Sequence, residues 1–353
     1  MQVTRSTSSD LLWLTEEDVR ELVTLNDAIE ALAEGLVLEA SGHAKNVDKA
    51  LGTWDASSMH ALGSMMPQAG YVAFKTWANT PRGAAAVVSL FSATDGRLLA
   101  LIEAAALGSM RTAAISGLAT RHLAAPAADE MSLIGTGVQA MMQVAAIAAT
   151  RPLRRLRVFS PTPEKRAAFV LRARASFDFE VMDTADVAAA VRDSPIITLV
   201  TRARTPFLAS AMVARGAHIN APGAILPGNA EFEQNLFERA DLVVVDSISA
   251  AQKNSREFID HYGNHPPAWA EVKTLSEILQ ANLRRPHDAD ITLFKPMGMG
   301  LSDLSVTTLV YQRAAARGVG TRLPRGKRDT PVWIPATAPV ALHENAAKRC
   351  SPS

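Results

Sequence analysis

Residues 131–140 read MSLIGTGVQA and run on into MMQVAAIAATR at 141–151. A short apolar segment ends in spaced glycines, and the alanine-rich run behind it has helical texture. The order strand, Gly135-x-Gly137-x-x-Ala140, helix is what a pyrophosphate site requires. The first glycine permits the tight turn, the second lets backbone approach the phosphates, and the small third residue lets helix and sheet pack closely. The helix start then offers unpaired N–H groups and partial positive charge. A glycine turn that binds nothing can carry the same letters, so context decides. A second strand-like run, LRVFS at 156–160, follows the helix, as a βαβ unit demands. A dinucleotide is the expected ligand, held by Gly135, Thr136, Gly137, Val138 and Gln139.

Outward from this motif, strand-like runs at 196–201 (IITLVT), 217–223 (AHINAPG) and 242–247 (LVVVDS) alternate with helical stretches to about residue 300. That alternation predicts a doubly wound parallel sheet. LRVFS ends at Ser160 without the acidic residue that binds an NAD ribose. The hydroxyls of Ser160 and Thr162, followed by Lys165 and Arg166, suit a 2′-phosphate, which favours NADP over NAD. Glu164 opposes that reading, and Lys165 and Arg166 also fit the solvated start of a helix.

Toward the amino terminus, Thr15 is an N-cap with Asp18 three residues on, and Leu22, Leu25, Ile29, Leu32 and Leu36 recur at helical spacing, which predicts helices over 14–42. From about 48 to 102 short apolar segments separated by turns predict one sheet, with Thr94-Asp95-Gly96 as a hairpin turn. Within YVAFKTWA, alternation puts Ala73, Lys75 and Trp77 on one face and Val72, Phe74 and Thr76 on the other. Lys75 then either faces a cleft beside Trp77 or stands on an open sheet face. A helix over 105–123 places Leu107, Ile115 and Leu118 around Arg111 on an apolar stripe. A buried arginine needs an anionic partner, either an internal carboxylate such as Glu103 or a substrate carboxylate held by the guanidinium fork.

The 353 residues are 48% hydrophobic and 20% charged, enough for a substantial core and, by size, two domains. Lys+Arg 36 against Asp+Glu 35 leaves a formal charge of +1, so no overall field recruits nucleic acid or an anionic membrane. The one basic cluster, Arg322, Arg325, Lys327 and Arg328, reads as a solvated run. A single cysteine, Cys350, excludes a disulfide framework. With neither a secretory signal nor an apolar run near 18 residues, the expected location is cytoplasmic. His261 and His265 lack further ligands at a fitting spacing, so no metal is expected. His60 reads as a packing or cleft-lining residue, and Trp54 and Trp77 as core or cleft wall. Residues 324–353 read as a mostly irregular tail.

Together FKTWAN (74–79), RTAAISGLAT (111–120), GTGVQA (135–140), INAPGA (219–224) through Glu231, and FKPMGMGLSDLS (294–305) resemble the ornithine cyclodeaminase/mu-crystallin family, over about residues 12–320. The resemblance implies an α/β fold: a Rossmann-type domain over 125–300 and a discontinuous α+β substrate-binding and dimerisation domain from 1–124 and 301–323. It implies a homodimer, and a substrate carboxylate held by Lys75, Arg111 and a third cation, Lys49 ahead of Lys45. It adds Thr112, Thr201, Arg202, Met297 and Gly298 to Ser160, Thr162 and Arg166 as cofactor positions.

Two departures from the family matter. Cyclodeaminases carry an aspartate where this sequence has Ile225, and a glutamate where it has Ser64 before Met65-Met66-Pro67. Isoleucine transfers no proton, and both acidic contacts for a cationic ornithine are gone. The expectation is therefore hydride transfer at the Cα of a small imino or amino acid, with Lys75 the first candidate proton donor and Glu103 and Asp303 behind it. A cyclodeaminase that recycles NAD, and a non-catalytic dinucleotide-binding subunit, are the competing expectations.

Overall fold

A computed structural model describes residues 10–263 and 266–325. The chain opens with β1 (Leu11–Leu14), α1 (Glu16–Leu22) and α2 (Leu25–Ala40). It continues through β2 (Lys45–Trp54), β3 (Ser57–Met66), β4 (Tyr71–Thr80), β5 (Gly83–Ser92) and β6 (Leu98–Glu103) to α3 (Ala105–Leu123). Then follow β7 (Glu130–Ile134), α4 (Ala140–Thr150), β8 (Arg155–Phe159), α5 (Pro163–Ser176), β9 (Glu180–Asp183), α6 (Val187–Val191), β10 (Ile196–Leu199) and β11 (His218–Asn220). The last elements are β12 (Ala240–Val245), α7 (Ile248–Asn254), α8 (Arg256–Tyr262), β13 (Lys273–Thr274), α9 (Leu275–Gln280), β14 (Ile291–Lys295), α10 (Gly300–Arg317) and β15 (Thr321–Leu323).

Two sheets organise these elements, ordered β15-β1-β6-β5-β4-β3-β2 and β13-β12-β14-β11-β10-β7-β8-β9. Every pairing in the second is parallel. Its central strands β7, β10, β11 and β14 are buried at every residue, as a sheet covered on both faces requires. The chain steps from β7 out to β9 and then returns to β10 on the other side of β7, so the crevice of a doubly wound sheet lies at the carboxyl ends of β7 and β10.

In the first sheet, β2 to β6 form an antiparallel meander over the predicted segments. Thr15 caps α1 reciprocally with Asp18, as expected, and Thr24 does the same with Asp27 for α2. The short strands β1 and β15 were not expected from the sequence. One face of this sheet packs on α3 and α10 through Leu90, Ile102, Leu107 and Leu304, all 0% exposed, and α2 packs on those two helices. Each such burial contributes about 1.5–3 kcal/mol. That core extends into the second sheet through Val244 and Phe294. α3 lies against α4 so closely that a Cβ on Gly117 would sit 2.7 Å from the Ala146 carbonyl oxygen. Among the described residues no helix is long and apolar enough to cross a membrane. The tail residues 326–353, with Cys350, Lys327 and Arg328, lie outside the described residues, as does His265.

Candidate functional site

The loop after β7 has the shape the glycine pattern predicts. Gly135 takes φ 109°, and a Cβ there would lie 2.7 Å from the Val200 carbonyl oxygen, so only glycine lets the loop pass under the end of β10. At Gly137 a Cβ would meet nothing within 4 Å, which leaves open space beside the backbone. Ala140 is 0% exposed against its neighbours and starts α4, whose first turn carries no side-chain cap. Thr136 is half-buried, Val138 is 91% exposed, and the Gln139 side-chain oxygen is buried without a partner among the described residues. A bare helix start and open backbone fit a pyrophosphate.

The other expected cofactor positions lie on α3 and in the segments that follow β8, β10 and β14. Thr112 on α3 donates its hydroxyl to the Gly108 carbonyl at 2.7 Å, and its own carbonyl accepts from Gln143 of α4. Ser160 follows β8, buried, and its carbonyl accepts from Arg166 at 2.7 Å. Arg166 also pairs with Asp183 at the end of β9 and lies over the Phe159 ring. Thr162 precedes α5 with its hydroxyl not spent on capping. Thr201 follows β10, and both its N–H and its hydroxyl donate to Glu231 at 2.7 Å; Arg202 beside it is exposed. Met297 and Gly298, after β14, donate their N–H groups to the buried Asp246 at 2.8 and 2.7 Å. Gly298 takes φ 86°, and a Cβ there would stand 3.2 Å from an Arg111 guanidinium nitrogen.

Arg111 thus connects this rim to the first sheet. Lys75, 6% exposed on β4, and Arg111 on α3 converge on one oxygen of Asp303, at 2.7 and 3.1 Å. Glu103 is therefore not the anionic partner of Arg111, since it accepts instead from the Glu16 N–H at 2.9 Å. Asp303 sits in the first turn of α10, 2% exposed, and its second oxygen is buried without a partner among the described residues. The start of α10 is pressed onto β3, where a Cβ on Gly300 would lie 2.3 Å from the Gly63 carbonyl oxygen, so Asp303 has little freedom to shift. Burial first, and then the Arg111 charge, lowers Lys75 to about 8, while Asp303 opposes both.

The third cation comes from an irregularity that the sequence does not reveal. Register shifts between Val47 and Ala50 of β2, opposite the Leu62 that pairs with Lys75, so an extra residue bulges there. Lys49 lies on that bulge with its ammonium 5.4 Å from the Trp77 ring centroid, beside the Lys75 ammonium at 5.1 Å. Desolvation, and next Arg111, pushes Lys49 below the ordinary lysine value. His60 stacks on Trp77 with centroids 4.5 Å apart and is held below the ordinary histidine value by burial and Lys49. Lys45 is exposed at the start of β2, Ser64 is buried on β3 opposite Ala73, and Ile225 is 40% exposed in the loop after β11. His261 stacks on Phe237, and among the described residues no group of three acidic, histidine or cysteine side chains is placed to hold a metal. Sequence reasoning passed over Asp246 and ranked Asp303 second, because what each touches is settled only by distant segments.

Comparison with known proteins agrees with this layout. A Delta(1)-pyrroline-2-carboxylate reductase from Bacillus cereus is 29% identical over 340 residues, spanning 89% of this chain and 99% of its own. The solved structure of the Thermococcus litoralis Delta(1)-pyrroline-2-carboxylate reductase in complex with NADH and L-proline superposes with a TM-score of 0.82 at 25% identity, over 89% of this chain and 100% of that one. An archaeal alanine dehydrogenase dimer with bound NAD gives 0.81 at 25% identity, over 89% and 99%. The profile of the ornithine cyclodeaminase/mu-crystallin family matches residues 10–318, and the chain belongs to that family.

Proposed function

We propose that this chain reduces the C=N bond of a small imino acid with NADH or NADPH, cyclic imines such as pyrroline carboxylate being the first class to try. The observation that carries the reading is the convergence of Lys75 and Arg111, with Lys49 nearby, beside the Gly298 turn at the rim of the dinucleotide crevice. In the overall reaction imine, NAD(P)H and one proton give the amine and NAD(P)+. The bound nicotinamide supplies the hydride to Cα. Arg111 and Lys49 hold the substrate carboxylate, which orients Cα. Lys75, partly deprotonated near neutrality's basic side, gives its proton to the imine nitrogen and is recharged from solvent. Ile225 and Ser64 supply no acid, which disfavours ornithine deamination.

The same proposal extends to finer points. NADP is preferred, supported by Ser160, Thr162 and Arg166 at the end of β8 and by the missing acid there. Residues 1–124 with 301–323 act as the substrate-binding and dimerisation domain and 125–300 as the dinucleotide domain, supported by the separation into two sheets. A homodimer and a cytoplasmic location complete it.

The test is absorbance at 340 nm with NADPH and with NADH against cyclic imino acids and against 2-oxo acids plus ammonia or methylamine, with L-ornithine and NAD as control. Cofactor oxidation with an imine is the expected result. Ammonia from ornithine without net change in the cofactor would overturn the reading. Arg166→Ala is expected to weaken NADPH use several-fold and to leave NADH use nearly unchanged.

A further inference from the structure

Glu231, Glu257 and Lys295 are all 0% exposed. Burying charge is tolerated only where every member is paired. Glu231 accepts three hydrogen bonds: the Thr201 N–H and hydroxyl, each at 2.7 Å, and the Ala224 N–H at 3.0 Å. Its own N–H donates to Glu257 at 3.0 Å, and Glu257 also accepts from Lys295 at 3.3 Å and Ser255 at 3.1 Å.

All three donors to the Glu231 carboxylate lie in loops at the carboxyl ends of β10 and β11, where the crevice opens, and Lys295 ends the neighbouring β14. The steric record has the same centre. A Cβ on Gly223 would lie 2.3 Å from a Glu231 carboxylate oxygen and 2.4 Å from the Thr201 nitrogen. A Cβ on Gly135 would lie 3.0 Å from the Thr201 side chain. Glu231 fixes Thr201, and Thr201 stands directly behind the first glycine of the phosphate loop. Three ends of backbone that would otherwise be free to adjust around a ligand are thereby set before one arrives.

We propose that Glu231 is a positioning residue for the dinucleotide: its carboxylate holds the Thr201 and Ala224 segments and, through Thr201, the Gly135 turn in the shape that receives the cofactor. The inference rests on the reading of this crevice as a nicotinamide dinucleotide site. It is not the role of a residue that touches the ligand, because Glu231 is sealed behind the loops it holds.

The test uses NADH as probe, with Kd from fluorescence titration and amide hydrogen exchange read at residues 201 and 224. In the ligand-free wild type both amides are expected to exchange slowly already. In Glu231→Gln they are expected to exchange much faster, with the NADH Kd raised tenfold or more and the remaining core amides as protected as before. A folded Glu231→Gln variant with the wild-type Kd overturns the proposal. So do wild-type amides that become protected only when NADH is added, a result that decides the matter even if the variant does not fold. A wild type that binds neither NADH nor NADPH defeats the dinucleotide reading instead, so the two failures are distinct.

Discussion

The lysine on β4 is placed where its proton is easily given up. Lys75 titrates near 8 because burial and Arg111 outweigh Asp303, so the basic limb of kcat/KM is expected near that pH, with activity falling as pH rises through it. The Asp303 carboxylate, by its charge and its hydrogen bond, opposes the lowering. Asp303→Asn should therefore move the basic limb to lower pH and destabilise the fold by about 3 kcal/mol, since two buried cations lose their carboxylate. A limb that stays in place would show that Asp303 does not set the charge of Lys75. Linkage gives a second reading of the same shift. The folded value lies below the unfolded 10.5, so the unfolded chain binds more protons between about 8 and 10.5, and this residue's contribution to stability rises with pH across that window. Lys75→Met removes the donor and is expected to cost about 10²–10⁴ in kcat, read beside an unchanged NADH Kd. That Arg111 needed an acid was legible from its apolar stripe. Which acid was not, because Asp303 is 192 positions away and only the packing of α10 against β3 and β4 brings it in.

Elements with their own periodicity could be read before the structure was known, and those defined by their partners could not. The alternation of Lys75 with Phe74, the helix over 105–123 and the strand-turn-helix at Gly135 each follow from local pattern, and all three stand. β1 and β15, of 4 and 3 residues, are strands because β1 pairs with β15 on one side and with β6 on the other, which segments this short do not announce. The bulge in β2 that carries Lys49 is likewise a property of the β2–β3 pair. The two glycines of the phosphate loop separate local constraint from ligand space. Gly135→Ala meets backbone at a positive φ, so it should lower the melting temperature and abolish NADH binding together. Gly137→Ala meets nothing, so the melting temperature should hold while NADH affinity falls at least tenfold. A Gly137→Ala protein that binds NADH normally would remove the phosphates from that space.

At the scale of the whole molecule the first sheet has one face too many. Its inner face is buried under α3 and α10, while alternation sends Phe74 and Met59 outward, 43% and 59% exposed, on strands β4 and β3. The Phe74 ring also crowds Gly63, where a Cβ would stand 2.5 Å from it, so this apolar surface continues across two strands. Large outward apolar side chains on adjacent strands mark a surface built to be covered. A second copy of the chain is the proposed cover, by a symmetric contact in which each sheet meets the same face of the other. Sedimentation of the wild type at micromolar concentration is expected to give twice the chain mass. Met59→Glu with Phe74→Glu places charge in the middle of that contact and is expected to give the single-chain mass. The cleft points the other way on the same strands, so the double variant should still bind NADH. A wild type that sediments as one chain would end the proposal. A double variant that stays paired would move the contact to another surface, whereas a monomer that keeps NADH but loses turnover would mean that the far face steadies Lys75 and Trp77 through the shared strands.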